Sequence, residues 1–139
     1  IDVIYASPMI RTLQTADIAL GRRRIKLIKD SLLRESNLGK WEGHTLDEIK
    51  KKFPRDVRKW YQDPLKYGAT DGETPVMLHK MVTRFLRKLS LGNHNGRTIA
   101  IDTHSGPFRI VVGEMNGNGL NDFWKLEPKT CEYNILHYK

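Results

Sequence analysis

An imidazole, a guanidinium and two carboxyl groups in this sequence stand where they could bind an anion and move a proton. The imidazole is His104, which follows the apolar β-branched run 98–103 and precedes the helix-starting tripeptide Ser105-Gly106-Pro107. A strand that turns at once into a helix points free backbone N–H groups at its neighbour, which favours an anion there. Taken alone, such a histidine is more often a structural turn residue, so a functional interpretation depends on which other reactive residues the chain contains.

The guanidinium is that of Arg11, and it occurs in a second unit of the same design. Residues 2–6 form a short apolar run without helical period, typical of a buried strand. Ser7 and Pro8 then supply an N-cap and a first-turn proline, with Arg11 about one turn into the helix. An exposed helical arginine is usually a solvated charge, but this one lies near enough to a helix N-terminus to help hold an anion.

The carboxyl groups are those of Glu35 and Glu73, in loops rich in polar residues, glycine and proline. Taken singly, each is most simply a solvated loop carboxylate. Combined with Arg11 and His104 they suggest one chemistry. Two cations beside two helix N-termini would hold a phosphoryl group, and a loop carboxyl group could donate a proton to a leaving alkoxide.

The elements that must position these side chains alternate between strands and helices. This order predicts an α/β fold, three-layered as α/β/α, with a mostly parallel sheet and helices on both faces. A length of 139 residues fits one domain, residues 1–139. The predicted strands are 2–6, 25–28, 98–103 and 130–138, and the predicted helices are 8–20, 45–53, 54–61, 74–89 and 105–115.

Composition restricts the function classes. Twenty-four Lys and Arg residues against 16 Asp and Glu residues give a net charge of +8, which attracts phosphate-bearing partners. The basic clusters are not interleaved with aromatic residues, so we expect no nucleic-acid partner, with a basic nucleic-acid binder kept as an alternative. No apolar run could span a membrane. The histidines lack metal-ligand spacing, and we expect no metal and no cofactor. Cys131 is the only cysteine, which suits a cytoplasmic location.

Four segments, in order, resemble the later motifs of the histidine phosphatase superfamily, the phosphoglycerate-mutase-like enzymes. The resemblance extends along nearly the whole chain. Within the superfamily, the short stretch between Gly43 and Gly72 argues against the glycolytic mutase. Trp41-Glu42-Gly43 and His104-Ser105-Gly106-Pro107 are more similar to the small phosphatases, including the α-ribazole phosphatase type. The matching segments are 7–16, 33–43, 72–74 and 103–109.

The resemblance implies a phosphohistidine mechanism, in which a histidine attacks the phosphoryl group and water later hydrolyses the intermediate. On this chain, Arg11 would be a phosphate-pocket arginine and Glu35 the proton donor and acceptor. His104 would be the second histidine, which stabilises the charge of the transferring phosphoryl group.

Other matching positions imply contacts to the phosphate. Glu73 and Thr74 correspond to a Gly-Glu-Ser stretch of the family, with threonine in place of serine. Arg109 stands at a position typical of the phosphatase branch, and Ser105 opens the helix after His104. Glu42 would shape the loop that holds Glu35.

The family's opening motif, a strand that ends in Arg-His-Gly and carries the nucleophilic histidine, has no match in this sequence. We therefore expect a preceding strand, loop and helix outside this sequence, and a homodimer is an option because a lost strand exposes a sheet edge. The predicted function is hydrolysis of a phosphomonoester of a small metabolite. The alternatives are a phosphoglycerate mutase-type phosphoryl transferase and a catalytically inactive phosphate- or partner-binding module.

Overall fold

A computed structural model describes residues 1–137 of the chain. They fall into two compact units: the first contains Ile1–Glu35 and the chain from Met81 onward, and the second is Ser36–Lys80. The expectation of one domain over residues 1–139 stays a prediction. The helices are α1 (Ile10–Leu20), α2 (Leu46–Lys52), α3 (Pro54–Gln62), α4 (Pro75–Leu91) and α5 (Ser105–Met115), with short 3₁₀ turns at Ser31–Leu33, Gly39–Trp41 and Gly119–Asp122.

The first unit is built on a parallel three-stranded sheet. Its strands are β1 (Val3–Ala6), β2 (Lys26–Lys29) and β3 (Ile99–Asp102), in the order β2-β1-β3. The ladder places Ala6 opposite both Lys29 and Asp102, so the carboxyl ends of all three strands lie level. The α/β fold expected from the alternation of strands and helices is confirmed.

Alternate residues of β1 pack against opposite layers of helix. Val3 and Tyr5 join a core with Leu33 and with Phe85 of α4. Ile4 and Ala6 face the other way and pack against α1. Every residue of β1 is buried, which is why this strand reads as a continuous apolar run.

Local sequence signals fix the start of α2 and the boundary between α2 and α3. Thr45 and Glu48 form the predicted capping box at the start of α2. Pro54 separates α2 from α3 as its missing N–H and restricted backbone require. The start of α1 differs from the prediction that Ser7 is its N-cap. The N-cap is Met9, which makes no side-chain cap bond, and the Ser7 hydroxyl lies against Nε2 of His104 instead.

The strand predicted at residues 130–138 is not present in the described part of that segment. Residues 130–137 form no strand despite their alternating pattern, and residue 138 lies outside the described residues. A strand persists only where its backbone groups pair with a neighbour. Within residues 1–137, β3 pairs only with β1, so its outer edge is open and its residues are only partly buried. Residues 130–137 do not pair with that open edge, and their alternating pattern alone does not make a strand.

The second unit has its own small core, formed by Trp41, Ile49, Val57 and Ala69. Two loops of this unit meet at Gly39, whose φ is +52°. The Lys40 amide donates to the Thr70 carbonyl at 2.9 Å. A side chain at position 39 would overlap that carbonyl, so glycine is required there.

Candidate functional site

His104 lies at the junction between β3 and α5. It is the N-cap of α5, with extended backbone, and only 9% of its surface is exposed. Gly106 and Pro107, in the first turn of the helix, are also buried. The strand–turn–helix pattern predicted this placement, because Pro107 is accommodated in a first turn. The imidazole is thus held beside the N-terminus of α5.

Arg11 reaches His104 from the neighbouring strand–helix junction. Its Nε donates a hydrogen bond to Nδ1 of His104 at 3.2 Å. The pair is 93 residues apart in sequence, and it forms because β1 and β3 are adjacent and parallel, so the helices that follow them begin side by side. Two of the residues singled out for chemistry therefore touch.

Glu35 lies at the same helix N-terminus. Its Oε2 accepts a hydrogen bond from the Gly106 amide at 3.3 Å. The preceding chain is held firmly, since Leu33 is fully buried and its carbonyl accepts a 2.6 Å hydrogen bond from the Thr103 hydroxyl. Asp30 caps this turn and forms a 2.8 Å ion pair with Lys88. The bonds of Leu33 to Thr103 and of Glu35 to Gly106 thus hold the Glu35 carboxyl group close to His104.

The surroundings of His104 favour the neutral imidazole. Burial lowers the pKa of His104, and the nearby Arg11 guanidinium lowers it further, while the Glu35 carboxylate acts in the opposite direction. Burial also raises the pKa of Asp102, two residues earlier on β3. The site therefore combines a neutral imidazole, a guanidinium, helix amides and a carboxyl group, a set that suits a bound anion and a proton transfer.

Ser7 is a member of this group that sequence reasoning assigned to a helix cap. Its hydroxyl oxygen lies 2.8 Å from Nε2 of His104, and the residue is fully buried. Its amide donates to the Asp102 carbonyl at 3.0 Å, which continues the ladder one residue past β1. The signal that could have found it is position: Ser7 follows one strand as Thr103 follows its parallel neighbour.

Ser105 and Arg109 of α5, both predicted to contact the phosphate, have different surroundings. Ser105 is exposed at the first residue of the helix. The Arg109 guanidinium stacks over Phe123 at 5.4 Å and Trp124 at 5.5 Å, and its Nε is buried without a hydrogen-bond partner. Their predicted phosphate contacts stay predictions.

Glu73 and Thr74 belong to the second unit, where both have structural contacts. Oε2 of Glu73 accepts from the Asn37 amide at 2.8 Å, and the Glu73 amide donates to the Asn37 carbonyl at 2.7 Å. The Thr74 hydroxyl accepts from the Met77 amide at the start of α4. Glu42 accepts from the Leu38 amide and so shapes its loop. A role of Glu73 and Thr74 in phosphate binding stays a prediction.

Among residues 1–137, no group of three or more histidine, cysteine, aspartate or glutamate side chains is arranged to hold a metal ion. None of the helices described for this chain is long and apolar enough to cross a membrane.

Known proteins resemble this chain in sequence and in structure. Phosphoserine phosphatase 1 of Hydrogenobacter thermophilus is 29% identical over 137 residues, which are 99% of this chain and 64% of that protein. A probable 2-carboxy-D-arabinitol-1-phosphatase of Arabidopsis thaliana is 28% identical over 99% of this chain and 28% of its own length. The chain thus spans less than two thirds of these relatives.

Solved structures agree on the fold. YhfR of Bacillus stearothermophilus superimposes with a TM-score of 0.80 at 30% identity, over 91% of this chain and 62% of that one. The α-ribazole phosphatase of Shigella flexneri gives 0.81 at 20% identity, over 89% and 61%, and shows the fold alone. The family description of the histidine phosphatase superfamily (branch 1) matches residues 1–139. The motifs, the fold and this match over the whole sequence agree, and the chain belongs to the histidine phosphatase superfamily.

Proposed function

We propose that the full-length protein containing this chain is a phosphomonoester hydrolase that acts on a small phosphorylated metabolite. The observation that carries the proposal is the hydrogen bond from Arg11 Nε to His104 Nδ1 at the N-terminus of α5, with Glu35 on the Gly106 amide of the same turn. The Arg11 guanidinium and the N-terminus of α5 favour a negatively charged phosphoryl group there, and the carboxyl group stands beside them.

The proposed reaction has two steps through a phosphohistidine. A histidine from sequence outside residues 1–139 attacks phosphorus, so a nitrogen–phosphorus bond forms, the ester phosphorus–oxygen bond breaks, and Glu35 protonates the leaving alkoxide. Water then attacks phosphorus, Glu35 accepts its proton, and phosphate leaves with the nucleophile restored. Arg11 stabilises the negative charge of the phosphoryl group in both steps, and His104 does so once its Nδ1 has taken up a proton.

The names of the relatives suggest which substrates to test. Phosphoserine and 2-carboxy-D-arabinitol 1-phosphate are small monoesters that also carry a carboxylate. Both are anions that the net charge of +8 would attract. We therefore place carboxylated phosphate monoesters first among the candidate substrates.

The test measures release of inorganic phosphate by the full-length protein from these monoesters and from an aryl phosphate. Replacement of His104 by Ala is expected to lower kcat/KM by about 10² to 10³, as for a lost oxyanion donor. His137→Ala is the matched control, because that histidine is exposed in the terminal segment and should leave the rate unchanged.

Unchanged turnover in His104→Ala would refute the proposed role of this histidine. Phosphate binding without turnover by the native full-length protein would favour a catalytically inactive phosphate-binding module. Transfer of the phosphoryl group to a second metabolite, without release of phosphate, would favour a mutase.

A further inference from the structure

The Ser7 hydroxyl is fixed in place from three directions. Its residue is fully buried, its amide donates to the Asp102 carbonyl, and its own carbonyl accepts from the Thr12 hydroxyl at 2.9 Å. The Met9 amide donates a long hydrogen bond, of 3.4 Å, to the Ser7 hydroxyl oxygen. This oxygen therefore has little freedom to move away from Nε2 of His104, which lies 2.8 Å from it.

The opposite nitrogen of the same ring defines where the imidazole proton lies. Arg11 Nε can only donate a hydrogen bond, so Nδ1 of His104 must accept it and carries no proton. A neutral imidazole has one N–H, which is then on Nε2. The Ser7 oxygen consequently accepts a hydrogen bond from Nε2–H.

We propose that Ser7 is a positioning residue: it accepts from Nε2–H of His104 and holds the ring with Nδ1 turned toward the phosphoryl group, while Arg11 selects the tautomer. This inference rests on the proposed function for its catalytic consequence, but the tautomer itself does not depend on turnover. Both nitrogens of an imidazolium are donors. When an anion attracts Arg11 and a proton reaches Nδ1, the bond from Nε2 to Ser7 persists and the ring keeps its orientation.

The tautomer is measurable by long-range ¹H–¹⁵N correlation on full-length protein labelled with ¹⁵N-histidine. His104→Gln assigns the signal. At a pH above the histidine pKa, native His104 is expected to show an unprotonated Nδ1 and a protonated Nε2. A protonated Nδ1 in the neutral native protein would overturn the proposal even if no Ser7 variant folds.

Two substitutions at position 7 separate positioning from simple packing. In Ser7→Ala, Arg11 still donates to Nδ1 and the tautomer should persist, but the Nε2–H proton loses its acceptor, so its resonance should move upfield and its exchange with water should become faster. Ser7→Thr keeps a hydroxyl and should restore the native Nε2–H signal. Ser90→Ala is the matched control, since it removes a serine hydroxyl whose hydrogen bond, to the Arg87 carbonyl of α4, involves neither Ser7 nor His104. A native Nε2–H signal in Ser7→Ala would refute the role.

The kinetic consequence is a loss in kcat of about 10- to 100-fold in Ser7→Ala, by analogy with the loss of partners that orient metal-bound histidines, with partial recovery in Ser7→Thr. Equal loss in Ser7→Ala and Ser90→Ala, with an unaltered Nε2–H signal in both, would contradict positioning. If the native protein shows the expected tautomer but hydrolyses no phosphomonoester, the proposed function fails while the tautomer assignment stands.

Discussion

At the scale of single residues, His104 makes stability depend on pH. Its pKa is lowered in the folded protein by burial and by Arg11 from the ordinary value of about 6.5. As the pH falls below about 6.5, the unfolded chain takes up a proton that the native site resists. The contribution of His104 is therefore complete above that pH, and stability is lost as the pH falls toward the folded pKa.

This predicts that acidification from about pH 7.5 to about pH 5.5 costs the native protein more stability than it costs His104→Gln. Urea denaturation at both pH values measures the difference. His137→Gln, at an exposed position, should lose as much free energy of unfolding between the two pH values as the native protein does. An equal loss of free energy of unfolding in His104→Gln and in the native protein would show that His104 has the same pKa in the folded and unfolded states.

Glu35 has a separate test at this scale, because its proposed role concerns the leaving group. Glu35→Gln should slow hydrolysis of alkyl phosphates strongly and that of activated aryl phosphates weakly, since a good leaving group needs no proton. Steady-state rates across monoesters of graded leaving-group pKa measure this. Glu127→Gln, which alters an exposed carboxylate, should leave the series unchanged. Equal slowing of all esters by Glu35→Gln would argue against proton donation.

At the scale of elements, two glycines of the second unit form a matched pair. Gly39 and Gly43 both have positive φ, so alanine at either position carries a conformational cost of about 1 to 2 kcal/mol. Only at Gly39 would the new methyl group also meet backbone, overlapping the Thr70 carbonyl and lying 2.6 Å from the Gly72 nitrogen. Nothing lies within 4 Å of it at Gly43.

Gly39→Ala is therefore expected to lower the free energy of unfolding more than Gly43→Ala, by about 1 kcal/mol or more. Urea unfolding of the two variants measures the difference. Similar losses would mean that the loop around residue 39 relaxes to admit the methyl group.

The sequence predicted elements best where local chemistry decides them. The capping box at Thr45 and the break at Pro54 depend on neighbouring residues, and both are confirmed. The strand predicted at residues 130–138 depends on a partner far along the chain, which periodicity does not reveal. The role of Ser7 depends on His104, 97 residues away, so a local reading could only assign it to a helix cap.

At the scale of the whole molecule, the candidate site follows from topology more than from composition. Motif order indicated the superfamily, and adjacency of two parallel strands explains why Arg11 meets His104. The stacking of Arg109 on Phe123 and Trp124 had no sequence signal, since aromatic residues after a helix are common in any core. The net charge of +8 adds a general attraction for anions that no single residue accounts for.

The hydrogen bond from the Ser7 amide to the Asp102 carbonyl ties the site to the alignment of β1 with β3. Successive residues of a strand point to opposite faces, so a shift of one residue between these strands would turn Ser7 away from the imidazole. Single-residue insertions or deletions inside either strand should thus abolish the site even in a protein that still folds. The exposed turn at residues 95–96 lies outside that ladder, so an insertion there should leave the alignment of β1 with β3 and the site intact.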